Sequence, residues 1–163
     1  MKRIGILSDT HGYLDPAIFH YFRECDEIWH AGDIGSLVIC EKLENFKPLR
    51  AVYGNIDGKI IRANYPFEQH FTCEGSTIWL THITGRPNAY NPHILAGMRK
   101  YKPTILVGGH SHILCVKRDQ WGTLYFNPGA AGKEGVHQVR TLLRFNLAHG
   151  KLTHMEAIEL PSG

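Results

Sequence analysis

His110 and His112 stand one residue apart, in Gly109-His110-Ser111-His112, directly after the apolar run Thr104-Ile105-Leu106-Val107-Gly108. Imidazole is the commonest neutral metal ligand, and the end of a strand is where an open α/β sheet presents its ligands. Four other stretches repeat the pattern of an apolar run, small residues and a ligand-type side chain: Asp9-Thr10-His11-Gly12, Gly32-Asp33, Gly54-Asn55-Ile56-Asp57 and Thr81-His82. The steps from Asp9 to Asp33, Asn55, His82 and His110 are 24, 22, 27 and 28 residues. Each step has room for one strand plus one helix or hairpin, so each ligand type can sit at the tip of a successive strand.

The elements that must position these residues are legible around them. Arg3 to Ser8 reads as a buried parallel strand, continuous in apolar character. Asp15-Pro16 reads as a helix start with Asp as N-cap and Pro at N1, and the helical spacing of Ile18, Phe19, Phe22 and Cys25 carries it to about Cys25. Glu27 to His30 is a second strand, Ser36 caps a helix to about Phe46, and Leu49 to Tyr53 is a third strand. Residues 56 to 67, with Gly58 and Pro66 as breakers, read as an irregular exposed flap. Gln69 to Cys73 and Thr77 to Thr81 form a hairpin about Glu74-Gly75-Ser76. Asn91-Pro92 opens a helix that stops before Pro103, and Thr104 to Val107 is the strand that leads to the paired histidines. Ile113 to Lys117 with Thr123 to Asn127, and Val139 to Leu147 with Leu152 to Leu160, then read as an antiparallel meander.

At 163 residues the chain is long enough for one domain with a full core. Hydrophobic residues make up 43% and charged residues 20%, the balance of a water-soluble globular chain, and no apolar run approaches the ~20 residues that span a bilayer. The N-terminus enters a strand directly, without an apolar leader or cleavage site, so a cytoplasmic protein with no membrane association is expected. Cys25, Cys40, Cys73 and Cys115 form no C-x-x-C pair and read as free thiols. The net charge of +3 comes from dispersed Lys and Arg with no nucleic-acid-binding signature, so nucleic-acid binding is not indicated. Trp29 and Trp79 fall in strand-like runs and are expected in the core. Trp121, in an Asp-Gln-Trp-Gly turn, is expected to be exposed and is a candidate for a homo-oligomer interface.

The order D-x-H, G-D, G-N-x-D, T-H and G-H-x-H resembles the calcineurin-like metallophosphoesterase superfamily. The short chain, the Gly54-Asn55-Ile56-Asp57 form and Asn127-Pro128-Gly129 are similar to its small bacterial and archaeal phosphodiesterases, to which the retromer scaffold subunit is related in fold. The resemblance covers residues 1 to about 130 by motif. It implies an α/β fold, a four-layer αββα sandwich of two mixed β-sheets flanked by helices, in one metallophosphoesterase domain over residues 1–163. It further implies a binuclear centre in which Asp33 bridges two divalent ions. Asp9, His11 and His112 would complete the set of one ion, and Asn55, His82 and His110 that of the other. Oxygen and imidazole donors without thiolate suit manganese, with iron, zinc or nickel as alternatives, rather than magnesium or calcium.

By the same resemblance the substrate is a small-molecule phosphoester, attacked by a hydroxide held between the ions, and no side chain is assigned a catalytic role. Two departures bear on the leaving group. Ile56 stands where related phosphatases carry a His after the motif Asn, and Ile83 and Thr84 replace the Gly and His that often follow the T-H motif. Diesters with good leaving groups are therefore expected over alkyl monoesters. Asp57 reads as a turn or cap residue ahead of a supporting group or acid, Arg86 equally as a bidentate phosphate clamp or a solvated loop residue, and Asn127 as a turn residue before Pro128 ahead of an amide support for the histidine loop. His20, His30, His70, His93, His137, His149 and His154 have no ligand-spaced partner and read as structural. The alternative function is a non-catalytic metal-binding scaffold of the same fold. Against it, the retromer-type relatives lack the motif I histidine, and His11 is present here. An oxygen-activating di-metal protein would want paired E-x-x-H motifs, and none occurs.

Overall fold

Two five-stranded sheets face one another, and each carries helices on its outer side. The computed structural model describes residues 1–162. β1 (Lys2–Leu7), β2 (Glu27–His30) and β3 (Leu49–Ala51) run parallel in the first sheet. β11 (Thr141–Ala148) and β12 (Lys151–Glu159) extend it in the order β12-β11-β1-β2-β3, with β11 antiparallel to β1 and β12 antiparallel to β11. The second sheet has the order β4-β5-β8-β10-β9, built from β4 (Glu68–Cys73), β5 (Ser76–Thr81), β8 (Ile105–Val107), β9 (Leu114–Arg118) and β10 (Leu124–Pro128). β5, β8 and β10 are mutually parallel. A small hairpin, β6 (Gly85–Arg86) with β7 (Ala89–Tyr90), stands apart.

Alternation along the strands sorts side chains into three apolar layers. Ile4, Ile6 and Trp29 from the first sheet meet Ile78, Leu80, Ile105, Val107 and Phe126 from the second. On the outer side of the first sheet, Leu7 and Ile28 pack under α1 (Ala17–Tyr21), α2 (Leu37–Phe46) and α3 (Lys59–Asn64) through Ile18, Ile39, Leu43 and Ile61. Outside the second sheet, Trp79, Leu106 and Tyr125 pack under α4 (Pro92–Tyr101) through Ile94 and Met98. This is the expected four-layer αββα sandwich of two mixed sheets. Trp29 and Trp79 are fully buried, and no helix among the described residues is long and apolar enough to cross a membrane.

Several local expectations are corrected. α1 ends at Tyr21 rather than near Cys25, and its N-cap position is Pro16. The Asp15 carboxylate still accepts the Ala17 N–H at 2.9 Å on one oxygen, and its other oxygen accepts from the Arg140 guanidinium at 2.7 Å. β3 stops at Ala51, because Tyr53 N–H turns to the Pro66 carbonyl instead of a strand partner. Residues 56 to 67 are not an irregular flap. They contain α3, held by buried Ile61 and by the Arg62 guanidinium, which donates to the Asp57 carbonyl at 2.6 Å. The C-terminal strands are not one meander either. β9 and β10 belong to the second sheet, while β11 and β12 cross to the first.

Candidate metal centre

The seven candidate side chains leave the carboxyl ends of parallel strands. β1 leads to Asp9 and His11, β2 to Asp33, β3 to Asn55, β5 to His82, and β8 to His110 and His112. Five of them, Asp9, His11, Asp33, His110 and His112, hold φ between 46° and 69°, half of the ten described non-glycine residues with positive φ. Such backbone costs of order 1 kcal/mol per residue and persists where the surroundings over-determine it.

What over-determines it is a lattice of hydrogen bonds between loops. His11 N–H donates to the Asp33 carbonyl at 3.0 Å, Gly12 N–H to Ile34 at 2.9 Å, and Gly109 N–H to the His82 carbonyl at 2.9 Å. Buried His30 accepts the Gly32 N–H on Nδ1 at 3.1 Å, which leaves its Nε2–H for the Thr10 hydroxyl at 3.0 Å, and that hydroxyl donates to the Ile34 carbonyl at 2.8 Å. The buried Asp57 carboxylate accepts N–H groups from Ile34 (3.1 Å), Gly35 (2.8 Å) and Gly54 (2.8 Å). It is thus a tie between two site loops, more than the local turn residue expected. Gly54 is required where it stands, since a Cβ there would collide with the Asp33 carboxylate and backbone.

The donors form two groups whose ligand atoms lie within 4.8 Å of one another, Asp9 with His11 and His112, and Asp33 with His82 and His110. His112 Nε2 is 3.2 Å from Asp9 Oδ1, and His82 Nε2 is 3.2 Å from Asp33 Oδ1. Asp33 faces both groups, because its other oxygen lies 3.3 Å from His11 Nε2. Asn55 Oδ1 sits 3.0 Å from both His82 Nε2 and His110 Nδ1. The amide of Asn127, expected as a turn residue, also supports this edge. It donates to the Gly109 carbonyl at 3.0 Å and to Ser111 Oγ at 3.1 Å, while its oxygen accepts the Gly129 N–H.

For His82 and His112 the ring nitrogen that faces away from the site is engaged. His82 Nδ1–H donates to the Ala31 carbonyl at 2.7 Å. His137 Nε2–H donates to the Gly132 carbonyl at 2.8 Å, so its Nδ1 is an acceptor, 3.2 Å from His112 Nδ1. Both arrangements aim a basic Nε2 at the carboxylates, as metal-binding histidines are held. His137 is therefore a missed part of the site rather than a distant structural residue. It lies 25 positions beyond His112 in a loop without ligand spacing, and no sequence signal pointed to it. His20, His70, His93, His149 and His154 join neither group.

Charge compounds the effect. Burial would raise the Asp9 carboxyl, but the His112 hydrogen bond, the His82 charge and the Ser8 hydroxyl outweigh it and hold its pKa at about 2. Asp33 is lowered as well, burial being outweighed by its hydrogen bond with His82. His82 is raised against its burial by Asp33 and Asp9, and His112 is raised chiefly by its bond to Asp9. His110 is lowered by burial and by the charge of His82. His11 Nε2 is buried with no hydrogen-bond partner, 3.3 Å from Asp33 Oδ2 and 3.6 Å from Asp9 Oδ1, a loss that a cation among them would remove. The donor set thus fits divalent metal. Beside His110 a cavity of about 480 Å³ opens, walled by Ile113, Ala89 and Tyr125 with exposed Arg86 on its lining.

The model of the calcineurin-like phosphoesterase superfamily domain matches residues 1–150. A probable metallophosphoesterase of Methanothermobacter thermautotrophicus is 29% identical over 132 residues, 78% of this chain and 76% of that protein. Wild-type Vps29 of Entamoeba histolytica, solved in complex with Zn2+, superposes with a TM-score of 0.73 at 16% identity over 97% of this chain and 98% of its own. YfcE, a phosphoesterase from E. coli, gives 0.59 at 20% identity over 96% and 99%.

Proposed function

This chain belongs to the calcineurin-like phosphoesterase superfamily, a metal-dependent family of phosphoester hydrolases, and from that premise we propose that it is a binuclear phosphodiesterase acting through one domain over residues 1–163. The observation that carries the reading is the placement of Asp33, one oxygen facing His11 and the other His82. A single carboxylate so placed suits a bridge between two cations. Asp9, His11 and His112 hold one, and Asn55, His82 and His110 the other, with manganese favoured over iron, zinc or nickel. Two divalent ions bound there supply Lewis acidity to the phosphoryl oxygens and an acidified water.

The chain's own residues set the preference for diesters. Ile56 is 47% exposed beside the site and has no proton to give. Asp57 follows it, but its carboxylate is engaged by three N–H groups and acts as a tie, not as an acid. With no side-chain acid over the leaving oxygen, esters whose alcohols depart as stable anions are cleaved fastest. The cavity beside His110 receives one ester group against apolar walls, and Arg86 is available to the second phosphate substituent.

The test is a panel of aryl diesters, aryl monoesters and alkyl monoesters offered to manganese-loaded protein whose metal content is counted by elemental analysis. Two ions per chain and fastest turnover of aryl diesters are expected. Fastest turnover of alkyl monoesters would refute the diesterase reading, and full activity in metal-free protein would refute the metal-dependent one.

A further inference from the structure

A cavity of about 1070 Å³ lies away from the metal centre. It lies at the opposite ends of the same parallel strands, where Pro103 and Thr104 precede β8 and Ser76 opens β5. The end of α4, the β9–β10 turn and the β11–β12 turn complete its wall. Arg99, Lys102, Arg118 and Lys151 line it, no Asp or Glu does, and none of the four cations is in a salt bridge among the described residues. Arg118 donates to the Gly122 carbonyl at 2.9 Å, which fixes its guanidinium at the turn. Trp121 lines the same cavity and is 49% exposed, stacked on the Tyr90 ring at 6.3 Å and 20° between planes.

Each feature constrains the occupant. Four unpaired cations around one concavity attract an anion. The volume matches an organic ligand of drug size rather than a single inorganic ion, since such pockets run ~300–1,000 Å³. A rigid indole at the lining offers a flat π-face to a planar ring. The cations also argue against self-association through this face, because a two-fold interface would set them against their own copies. We propose that this far-side cavity is a nucleotide-binding site, in which the four cations take the phosphates and Trp121 stacks on the base.

Trp29 and Trp79 are fully buried and Trp121 is exposed, so quenching of tryptophan fluorescence by acrylamide reports on the cavity alone. Titration of the full chain with ATP is expected to shield Trp121 saturably. Inorganic triphosphate, with charge and no ring, and adenosine, with a ring and no charge, should each bind more weakly. Each cation removed should weaken ATP binding by roughly tenfold, the usual scale of a charge-assisted hydrogen bond.

Two variants probe this. Arg118→Glu with Lys151→Glu reverses two charges on strand surfaces. Lys102→Gly removes one at a C-cap with φ of +46°, a conformation that favours glycine, so lost binding there cannot be assigned to lost fold. Weakened shielding in both variants supports the site. Unshielded Trp121 at millimolar ATP, or shielding equal in wild type and both variants, overturns it, and triphosphate or adenosine matching ATP overturns the nucleotide assignment.

Discussion

At the scale of single residues, Asp33 and its neighbours separate charge from mere donation. Asp33→Asn keeps the shape of the side chain and removes the negative charge that two cations would share, so their mutual repulsion is left less compensated. Asn55→Ala removes one neutral donor from one group. Asp33→Asn is therefore expected to bring bound metal below two per chain and activity down by at least ~100-fold, each tenfold being ~1.4 kcal/mol of transition-state stabilisation. Asn55→Ala should be milder and partly restored by excess manganese. Reversed metal counts in the two variants would take the bridge away from Asp33. His137 acts one step further out. Because its Nδ1 accepts from His112 and its Nε2–H is held by Gly132, His137→Ala leaves the His112 ring free to turn. Metal affinity should fall roughly 10- to 100-fold, the range for such supporting partners, with the unfolding temperature of metal-free protein little changed. Affinity equal to wild type would show that His112 needs no such support.

At the scale of elements, the loops after β1 and β2 are locked by His30, whose ring must stay neutral to accept from Gly32 and donate to Thr10. Full burial lowers its pKa from 6.5 to about 4. A histidine lowered on folding binds fewer protons folded than unfolded, so its share of stability is complete above 6.5 and is lost as pH falls toward 4. The shift corresponds to roughly 3 kcal/mol across that window. His82 and His112 are raised and tilt metal-free stability the other way, so the readout is the difference between wild type and His30→Asn in denaturant titrations from pH 7 to pH 4. A difference independent of pH would contradict this role. The strands and their ligand tips were legible because a buried parallel strand followed by Gly and a ligand-type residue leaves a local pattern. α3 was not, since Gly58 and Pro66 mark its flanks as loop while its stability comes from Ile61 against the first sheet. The split of the last four strands between two sheets was equally hidden, because a hairpin records its own pairing and not the sheet it joins. His137 and Asp57 act through contacts made by folding, 25 residues from His112 and 22 to 23 residues from Gly35 and Ile34.

Over the whole molecule, apolar packing and chemistry occupy different places. The three apolar clusters fill the space between the sheets and under the helices, while the site lies on loops at one edge and carries five residues in strained backbone. Removing metal should therefore abolish phosphoester hydrolysis and leave the far-ultraviolet circular dichroism of the fold in place. Adding it should raise the unfolding temperature by mass action, since only the folded chain gathers donors from five loops. At manganese a hundredfold above its dissociation constant the gain is about 2.7 kcal/mol, or roughly 5–10 °C for a chain of this length. The gain should shrink on acidification, and sooner than for ordinary imidazoles. His82 and His112 hold their protons to higher pH beside Asp33 and Asp9, and those on Nε2 are the ones that metal must displace. At fixed manganese, scanning calorimetry at pH 8 and pH 6 should give a large upward shift and a small one. Equal shifts at the two pH values would mean that these histidines are not where the metal binds, and collapse of the fold on chelation would mean that the ions, not the apolar layers, hold the sheets together.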